Sequence, residues 1–393
     1  MKYFGYGDLD PLVGGYEYPW FVEMPVLPGE PEYEEGAAMR QLRRGDRSVR
    51  YTCYLLQKDL IRIGQLPMTD MRIDCDADSA IPMSMAGRLL FADAKGLDFS
   101  AIRLQPAMQL RMPDGGYYEW SLGVFLPITP RPRYTATGGH YELSCYDMTV
   151  ILRDDKLINT LSVAAGTPYI DAITTIIMQA GIQFIIADRS DLLLPEPMQF
   201  DIGTSRLEIA NALLAAIGYD DVWADERGYI NLRERVGAYS RSVKHRYMDD
   251  DMSVILPEMG ADLDSYEVPN VIIGVVSRPD APPLRAEWRN VDPASALSIP
   301  RRGRQIVRVD TLDNAATLQA LEAHVQAEGY KTIARNGEVT FSTLTMPNHA
   351  VRDMIYLSRR DVEISGRYME VGWSMDLRAG ATMEHRAQRV VIV

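Results

Sequence analysis

The stretch Asp70-Met71-Arg72-Ile73-Asp74-Cys75-Asp76-Ala77-Asp78 alternates apolar and charged side chains. Successive side chains of a β-strand point to opposite faces, so this period of two predicts a strand with one buried and one solvated face. The same alternation appears in Val49–Leu55 and again in Met108–Met112. Pro113-Asp114-Gly115-Gly116 follows directly, and its turn chemistry predicts a hairpin that continues into Tyr117–Leu126.

Helix signals replace this alternation in the middle of the chain. Thr167-Pro168 offers a cap and a first-turn proline for a helix that Gly181 ends. Ser205, with Glu208 three residues later, has the pattern of a capping box at the start of a second helix. We therefore predict a small α/β domain over residues 159–245.

Strand-like segments resume after this domain and are interrupted by one predicted helix at about 313–328. The predicted fold class is β-rich α+β, in which two β-barrel tube-like domains, residues 48–158 and 246–393, flank the α/β domain. Residues 1–47 differ, because five prolines disfavour a regular helix or a central strand there. We predict that they form an extended Pro/Tyr-rich arm lying on a neighbouring domain or subunit.

Composition excludes several classes of protein. The 393 residues are 47% hydrophobic and 24% charged, a mixture that folds around a sizeable core. Lys plus Arg number 41 and Asp plus Glu 54, and the net charge of -13 is opposite to that of a surface that grips phosphates. The widely spaced Cys53, Cys75 and Cys145 suit reduced thiols rather than a disulfide framework. Neither a signal peptide nor an apolar stretch of the ~20 residues that span a bilayer is present, so no membrane insertion is predicted.

One acidic segment has the beginning of a calcium-binding pattern. Asp74, Asp76 and Asp78 place oxygen ligands at alternate positions, as a calcium loop does at its start. The sixth and twelfth positions hold Ser79 and Met85 instead of the glycine and glutamate that such a loop needs. We therefore interpret the aspartates as the solvated face of a strand.

No catalytic, cofactor-binding or metal-binding residue is predicted. The histidines lie far apart in sequence and lack the spacing of metal ligands, so we expect each to be an isolated surface or packed residue. Only the folding of the chain could bring them together into a metal site. The five are His140, His245, His324, His349 and His385. Ser205 lacks the flanking glycines of a nucleophile elbow and is already assigned as a helix cap. No glycine-rich phosphate loop follows a predicted strand.

Clusters of like charge are short. The basic runs Arg40–Arg47 and Arg301–Arg304 lack interleaved aromatic residues and are typical of interface or loop surfaces. Acidic pairs such as Glu34-Glu35 have the residue type used in glycoside hydrolysis, but 54 carboxylates do not single out one pair. The sequence therefore predicts a structural protein that is not an enzyme.

A family resemblance begins directly after the predicted hairpin turn. The run Glu119-Trp120-Ser121-Leu122-Gly123-Val124-Phe125-Leu126-Pro127 resembles the WPLGVF element of phage minor tail proteins of the baseplate-hub type. Further resemblances follow in the same order as in that family, in Leu161–Thr167, Gly203–Leu207, Asn211–Tyr219, Val268–Asn270 and Arg302–Arg304. The resemblance covers about residues 48–393, and the N-terminal arm departs from the family core.

This resemblance to the tail-hub family, with its late-control-protein-like fold, implies two tube-like barrels around an α/β domain. It implies a homotrimer in which three copies of two barrels continue a six-fold tail tube and taper to a three-fold tip. The implied partners are the tail tube or distal tail protein and the tail tip or fibre protein, with DNA only passing through the lumen. The implied location is the virion tail, assembled in the host cytoplasm, and no cofactor is implied.

Two alternatives remain open beside the tail hub. A β-rich tail-associated glycan-binding or cell-wall-degrading protein is one, because tail proteins recognise host walls and aromatic side chains stack on sugars. The hub of a contractile injection system is the other, because its adaptor task is the same. For either kind of hub, the excess of acidic over basic residues suggests a negatively charged channel wall, which would repel the phosphates of DNA and let it slide.

Overall fold

The computed structural model describes residues 2–3, 33–44, 47–136, 138–238, 240–251, 253–261, 268–276, 283–293, 295, 297–312, 318–335, 338–362 and 364–390. The proline-rich part of the predicted arm, residues 4–32, lies outside this described part. So does the predicted start of the last helix at residues 313–317. Within the described part, no helix combines the length and the apolar character needed to cross a membrane.

Helices and strands occur in three groups along the chain. The first group contains β1 (Lys2–Tyr3), α1 (Glu35–Leu42), β2 (Val49–Leu56), β3 (Arg62–Leu66), β4 (Thr69–Asp76), β5 (Met83–Leu90), β6 (Arg103–Arg111), β7 (Tyr117–Ser121), β8 (Phe125–Thr135) and β9 (Gly138–Asp147). The second contains α2 (Thr149–Asp154), β10 (Leu161–Val163), α3 (Tyr169–Gln179), β11 (Ile185–Ala187), β12 (Met198–Phe200), α4 (Arg206–Ala216), β13 (Trp223–Ala224) and β14 (Ile230–Leu232). The third contains β15 (His245–Met248), β16 (Ile255–Ala261), β17 (Val271–Val276), β18 (Leu284–Arg289), α5 (Ile299–Arg302), β19 (Val307–Leu312), α6 (Leu318–Arg335), β20 (Glu338–Leu344), β21 (Met354–Arg359), β22 (Ile364–Asp376) and β23 (Thr382–Arg389).

A sheet of 14 strands combines the first and third groups. Its order is β16-β20-β23-β22-β4-β5-β9-β8-β6-β2-β3, with β7 paired to β6, β21 to β22 and β15 to β21. The antiparallel pairing of β22 with β4 joins strands from opposite ends of the chain. The predicted β-rich fold is confirmed, but within the described residues this sheet is continuous and no closed barrel is found, because that pairing makes one ladder out of the two predicted strand sets.

The large core is shared by both strand sets. Ile73 and Leu104 from the first group belong to the same buried apolar cluster as Phe341 and Ile355 from the third. Burial of apolar surface is the main favourable contribution to folding, so the two sets stabilise each other. Each set depends on the other for part of its core.

The middle group forms a separate core around helices α3 and α4. The Ser205 side chain accepts a hydrogen bond from the Glu208 backbone, and Glu208 bonds back to the Ser205 backbone, so the predicted capping box is confirmed. The predicted cap by Thr167 is wrong. Helix α3 begins at Tyr169 with Pro168 at the N-cap position and no side-chain cap, because a proline there leaves no place for Thr167 to bond the first turn.

Two further predictions need correction. The arm contains α1, whose Ala38 and Leu42 are fully buried against the large core, because the prolines that disfavour a helix end before this segment. Strands β17, β18 and β19 form a sheet of their own with α6 against one face, instead of joining the predicted second barrel. The hairpin turn is confirmed: Arg111 pairs with Tyr117 across it.

Candidate functional site

Four neighbouring strands of the large sheet, β20, β23, β22 and β4, present a polar face to solvent. Across it Ser374 lies opposite both Glu384 and Asp74, which places small polar and acidic side chains in one row. The alternation in β4 that the sequence shows puts Asp74 outward and Ile73 inward, because strand side chains alternate. We call these outward side chains the acidic face.

Carboxylates outnumber guanidiniums on the acidic face. Five of its carboxylates surround two of its guanidiniums: Asp74, Asp76, Glu338, Asp376 and Glu384 around Arg72 and Arg386. Arg72 contacts Asp74 at 2.9 Å and Asp376 at 3.4 Å. Arg386 contacts Asp76 at 3.0 Å. These partners are substantially exposed, so their ion pairs set the shape and charge of the surface more than its stability.

The calcium-like aspartates lie on and beside the acidic face. Asp74 and Asp76 point outward from β4 and bind arginines, and Asp78 lies exposed in the turn that follows. Their interpretation as the solvated face of a strand is confirmed. Ser205 serves as the predicted helix cap.

The basic runs and the acidic pair contact the chain's own surfaces. Arg43 donates to the Arg246 carbonyl at 3.1 Å, and Arg302 donates to the Val268 carbonyl at 2.7 Å. Glu35 accepts a hydrogen bond from Asn348 at 3.3 Å. These arginines and this carboxylate therefore help to fix segments of the chain against one another.

Three histidines that are far apart in sequence meet inside the large core. His245 begins β15, His349 precedes β21 and His385 lies on β23, and all three are buried. The rings of His245 and His349 stack with centroids 3.9 Å apart, and those of His349 and His385 are 5.1 Å apart. We call these residues, with Glu370 and Asp353, the histidine cluster.

Glu370 bridges two of the histidines. Its side chain is 1% exposed, and its two oxygens lie 2.5 Å from His349 Nδ1 and 2.5 Å from His385 Nδ1. The outer nitrogens also have partners. His349 Nε2 lies 2.6 Å from the Tyr247 hydroxyl, and His385 Nε2 lies 2.8 Å from the Thr343 hydroxyl.

Asp353 forms the other end of the cluster. Its Oδ2 accepts hydrogen bonds from Lys244 Nζ at 3.0 Å and from the Ala350 backbone at 2.7 Å. The same oxygen lies 3.5 Å from His245 Nε2. Burial alone would raise the pKa of Asp353, but His245 and Lys244 outweigh burial and lower it.

Burial and mutual charge set the protonation of the cluster. Burial lowers the pKa of His349 to about 4, an effect that Glu370 opposes and His245 reinforces. Burial alone would raise the pKa of Glu370, but His349 and His385 outweigh it and lower that pKa to about 2. The pKa of Glu370 is thus held below its usual range, and its buried carboxylate lies against two imidazole nitrogens.

Sequence spacing misses this cluster because its members come from four separate segments. The remaining two histidines lie elsewhere, His140 on β9 and His324 exposed on α6. A signal was nevertheless present in the strand pattern. His385 occupies an inward position between Met383 and Ala387, where an apolar residue would be expected.

Solved structures of known proteins share this fold. The tail protein of Neisseria meningitidis MC58 matches with a TM-score of 0.60 at 13% identity, covering 86% of this chain and 97% of that one. The 43 kDa tail protein of prophage MuSo2 from Shewanella oneidensis matches with a TM-score of 0.61 at 11% identity, covering 87% and 98%. A chain of the Francisella PdpA–VgrG complex matches with a TM-score of 0.52 at 6% identity, covering 88% and 58%.

Two comparisons of the sequence gave no match. No protein-family model matches the sequence, and no curated protein matches it. The tail proteins that share the fold are matched over nearly their whole length, as the resemblance read from the sequence predicts. The chain therefore has the fold of phage and prophage tail proteins, a fold that also occurs in a VgrG complex.

Proposed function

We propose that this protein is the structural baseplate hub of a phage tail, a trimeric ring with a channel for DNA. The observation that carries the proposal is the acidic face, which extends across β20, β23, β22 and β4 and carries more carboxylates than guanidiniums. It crosses the junction of the two strand sets without a break. A surface of this kind suits the wall of a channel through which a polyanion slides without sticking.

The trimer follows from the way the chain is divided. In this proposal the large-sheet strands of residues 48–158 and those of residues 246–393 each act as one tube-like module, residues 159–245 form the α/β domain between them, and three copies supply six modules around one axis. Closed rings repeat the same head-to-tail contact. The proposed hub thereby meets a six-fold tail tube on one side and a three-fold tip on the other.

Open sheet edges give each copy a means of binding the next. Strands β3 and β16 are the ends of the large sheet's path in the described part of the chain. An exposed edge offers unpaired backbone groups to a neighbouring strand. Next to and within β3, Ile61 and Ile63 are 59% and 50% exposed, which adds apolar surface at this edge. In the proposed ring this edge is covered by a second copy.

The partners above and below the ring are the tail tube or distal tail protein and the tail tip or fibre protein, and the protein works as part of the virion tail. The role is structural and needs no catalytic centre.

A second candidate is the hub of a contractile injection system, which the similarity to a chain of the PdpA–VgrG complex favours. Electron micrographs of the native particle separate the two candidates, because a contractile particle has a sheath around its tube.

Mass photometry and electron cryomicroscopy of the purified full chain test the hub. We expect a trimer, with Asp74 and Glu384 of every copy facing a central channel. A strict ring of six copies, a monomer at all concentrations, or an acidic face on the outside of the ring would each overturn the proposal.

A variant at β3, with a matched control, tests the proposed pairing of sheet edges between copies. Ile63→Lys places a charge at the proposed contact and should shift the trimer toward monomer without changing the circular dichroism spectrum. Ile158 is 85% exposed in a loop, and Ile158→Lys should leave the trimer intact. Equal assembly of both variants would exclude β3 from the contact.

A further inference from the structure

The hydrogen bonds of Thr343 fix the tautomer of His385. The Thr343 hydroxyl lies 2.8 Å from the Leu344 carbonyl oxygen, which can only accept, so the single hydroxyl proton is donated there. Toward His385 Nε2, also at 2.8 Å, the hydroxyl can therefore only accept. His385 Nε2 carries a proton, and in a neutral imidazole Nδ1 then has a free lone pair.

This lone pair points at a carboxylate. His385 Nδ1 lies 2.5 Å from Glu370 Oε1, a separation at which two unprotonated atoms repel each other, so the pair either shares a proton or is held further apart by a metal ion bound to both. His349 Nδ1 approaches the other oxygen of Glu370 at the same distance. Two imidazoles thus converge on one buried carboxylate, with nitrogen and oxygen atoms within 4.8 Å of one another.

A further nitrogen beside this group makes no close hydrogen bond. His245 is 3% exposed, and its Nε2 finds no hydrogen-bond partner among the described residues. The Asp353 oxygen nearest to it is 3.5 Å away, which is too long for a hydrogen bond. The His245 ring stacks on the His349 ring, so the unsatisfied nitrogen belongs to a side chain that packs directly on the group formed by His349, His385 and Glu370. A polar group left in this state costs free energy unless a ligand satisfies it.

We propose that His349, His385 and Glu370 bind a structural transition-metal ion, with Zn²⁺ as the ion their chemistry favours. Imidazole nitrogen and carboxylate oxygen are ligands that Zn²⁺ takes at about 2.0–2.2 Å. Metal-ligating histidines commonly have their other nitrogen held by a hydrogen bond, and here Tyr247 and Thr343 occupy those outer positions. His245, which stacks on His349, offers a further nitrogen beside the site.

The site would link three consecutive segments of the C-terminal strand set. Glu370 lies on β22, His385 on β23 and His349 in the segment before β21, so one ion would tie three segments together. A metal that binds only the folded chain stabilises it by mass action. The ion therefore serves the rigidity of the C-terminal strand set, independently of any channel or trimer.

The first test measures metal in the full chain, purified without a polyhistidine tag. Inductively coupled plasma mass spectrometry should find about one Zn²⁺ per chain after dialysis, as expected for an ion bound by residues buried in the core. Removal of the metal with dipicolinate should lower the melting temperature by several degrees, and Zn²⁺ but not Mg²⁺ should restore it. The proposal is overturned if the purified chain contains no metal and its melting temperature changes neither with dipicolinate nor with added Zn²⁺. In that case a proton, and not a metal ion, is shared by the histidines and Glu370.

Variants give a second readout. Glu370→Gln keeps the shape of the side chain but removes the anionic ligand, and it should reduce bound Zn²⁺ at least tenfold. His324→Ala removes an exposed histidine on α6 and should keep the full metal content. Because a core variant can fail to fold, Co²⁺ replacement in the wild-type chain provides an independent check. Visible absorption bands of nitrogen- and oxygen-bound Co²⁺ support the site, and their absence contradicts it.

Discussion

Trp373 of β22 lies directly opposite Cys75 of β4, in the ladder that joins the two ends of the chain. Both side chains are buried and belong to the apolar cluster that the two strand sets share. The backbone pairing and the core packing therefore coincide at this position. Unfolding of one strand set would expose apolar surface of the other, so the large sheet should unfold as one unit.

Trp373→Ala should destabilise the whole large sheet. Loss of a buried tryptophan costs about 3–5 kcal/mol, through lost burial and the cavity left behind. Guanidinium titration followed by far-ultraviolet circular dichroism should show one earlier transition. Trp223→Ala removes a half-buried tryptophan on β13 of the small sheet and should cost less. A separate early transition of only half of the sheet signal would contradict the shared core.

Two helical glycines should respond in opposite directions to alanine. At Gly329 on α6 a Cβ atom would lie only 2.2 Å from the Trp288 indole, so Gly329→Ala should destabilise the chain despite better helix propensity. At Gly36 on α1 the nearest atom is an Arg40 nitrogen at 3.7 Å, so Gly36→Ala should stabilise by about 0.5–1 kcal/mol. Thermal unfolding of both variants measures the contrast. Stabilisation by Gly329→Ala would show that Trp288 does not pack there.

The capping box gives a prediction local to α4. Ser205→Ala removes the acceptor for the Glu208 backbone and should cost about 1 kcal/mol. Ser205→Thr keeps a hydroxyl acceptor and should lose less. The midpoint of guanidinium unfolding compares the two. Equal losses in both variants would mean that packing around the nearly buried Ser205, rather than its hydrogen bond, sets the stability.

The three cysteines should be unreactive in the folded chain. All are free and buried, and burial raises the pKa of Cys53 to about 12 and those of Cys75 and Cys145 as well. The reactive thiolate is therefore scarce at about pH 8, where an ordinary thiol reacts readily. Ellman's reagent should detect no thiol in the native chain and three after denaturation. Rapid reaction of the native chain would disprove this burial.

Local features of the fold were readable from the sequence. The alternation around Ile73 specified a strand and its inward face, and Ser205 with Glu208 specified the start of α4. Each depends on residues a few positions apart, because strand periodicity and helix capping are short-range effects. The same period placed Asp74 on the solvated side, so the part of the acidic face on β4 was predictable.

Only the tertiary structure decided how these elements combine. The pairing of Trp373 with Cys75, which makes one sheet of two predicted barrels, brings together strands from opposite ends of the chain. The convergence of His349 and His385 on Glu370 likewise depends on how β21, β22 and β23 pair. Alternation states which side of a strand is buried but not which strand lies beside it, because that choice depends on the packing of the whole core.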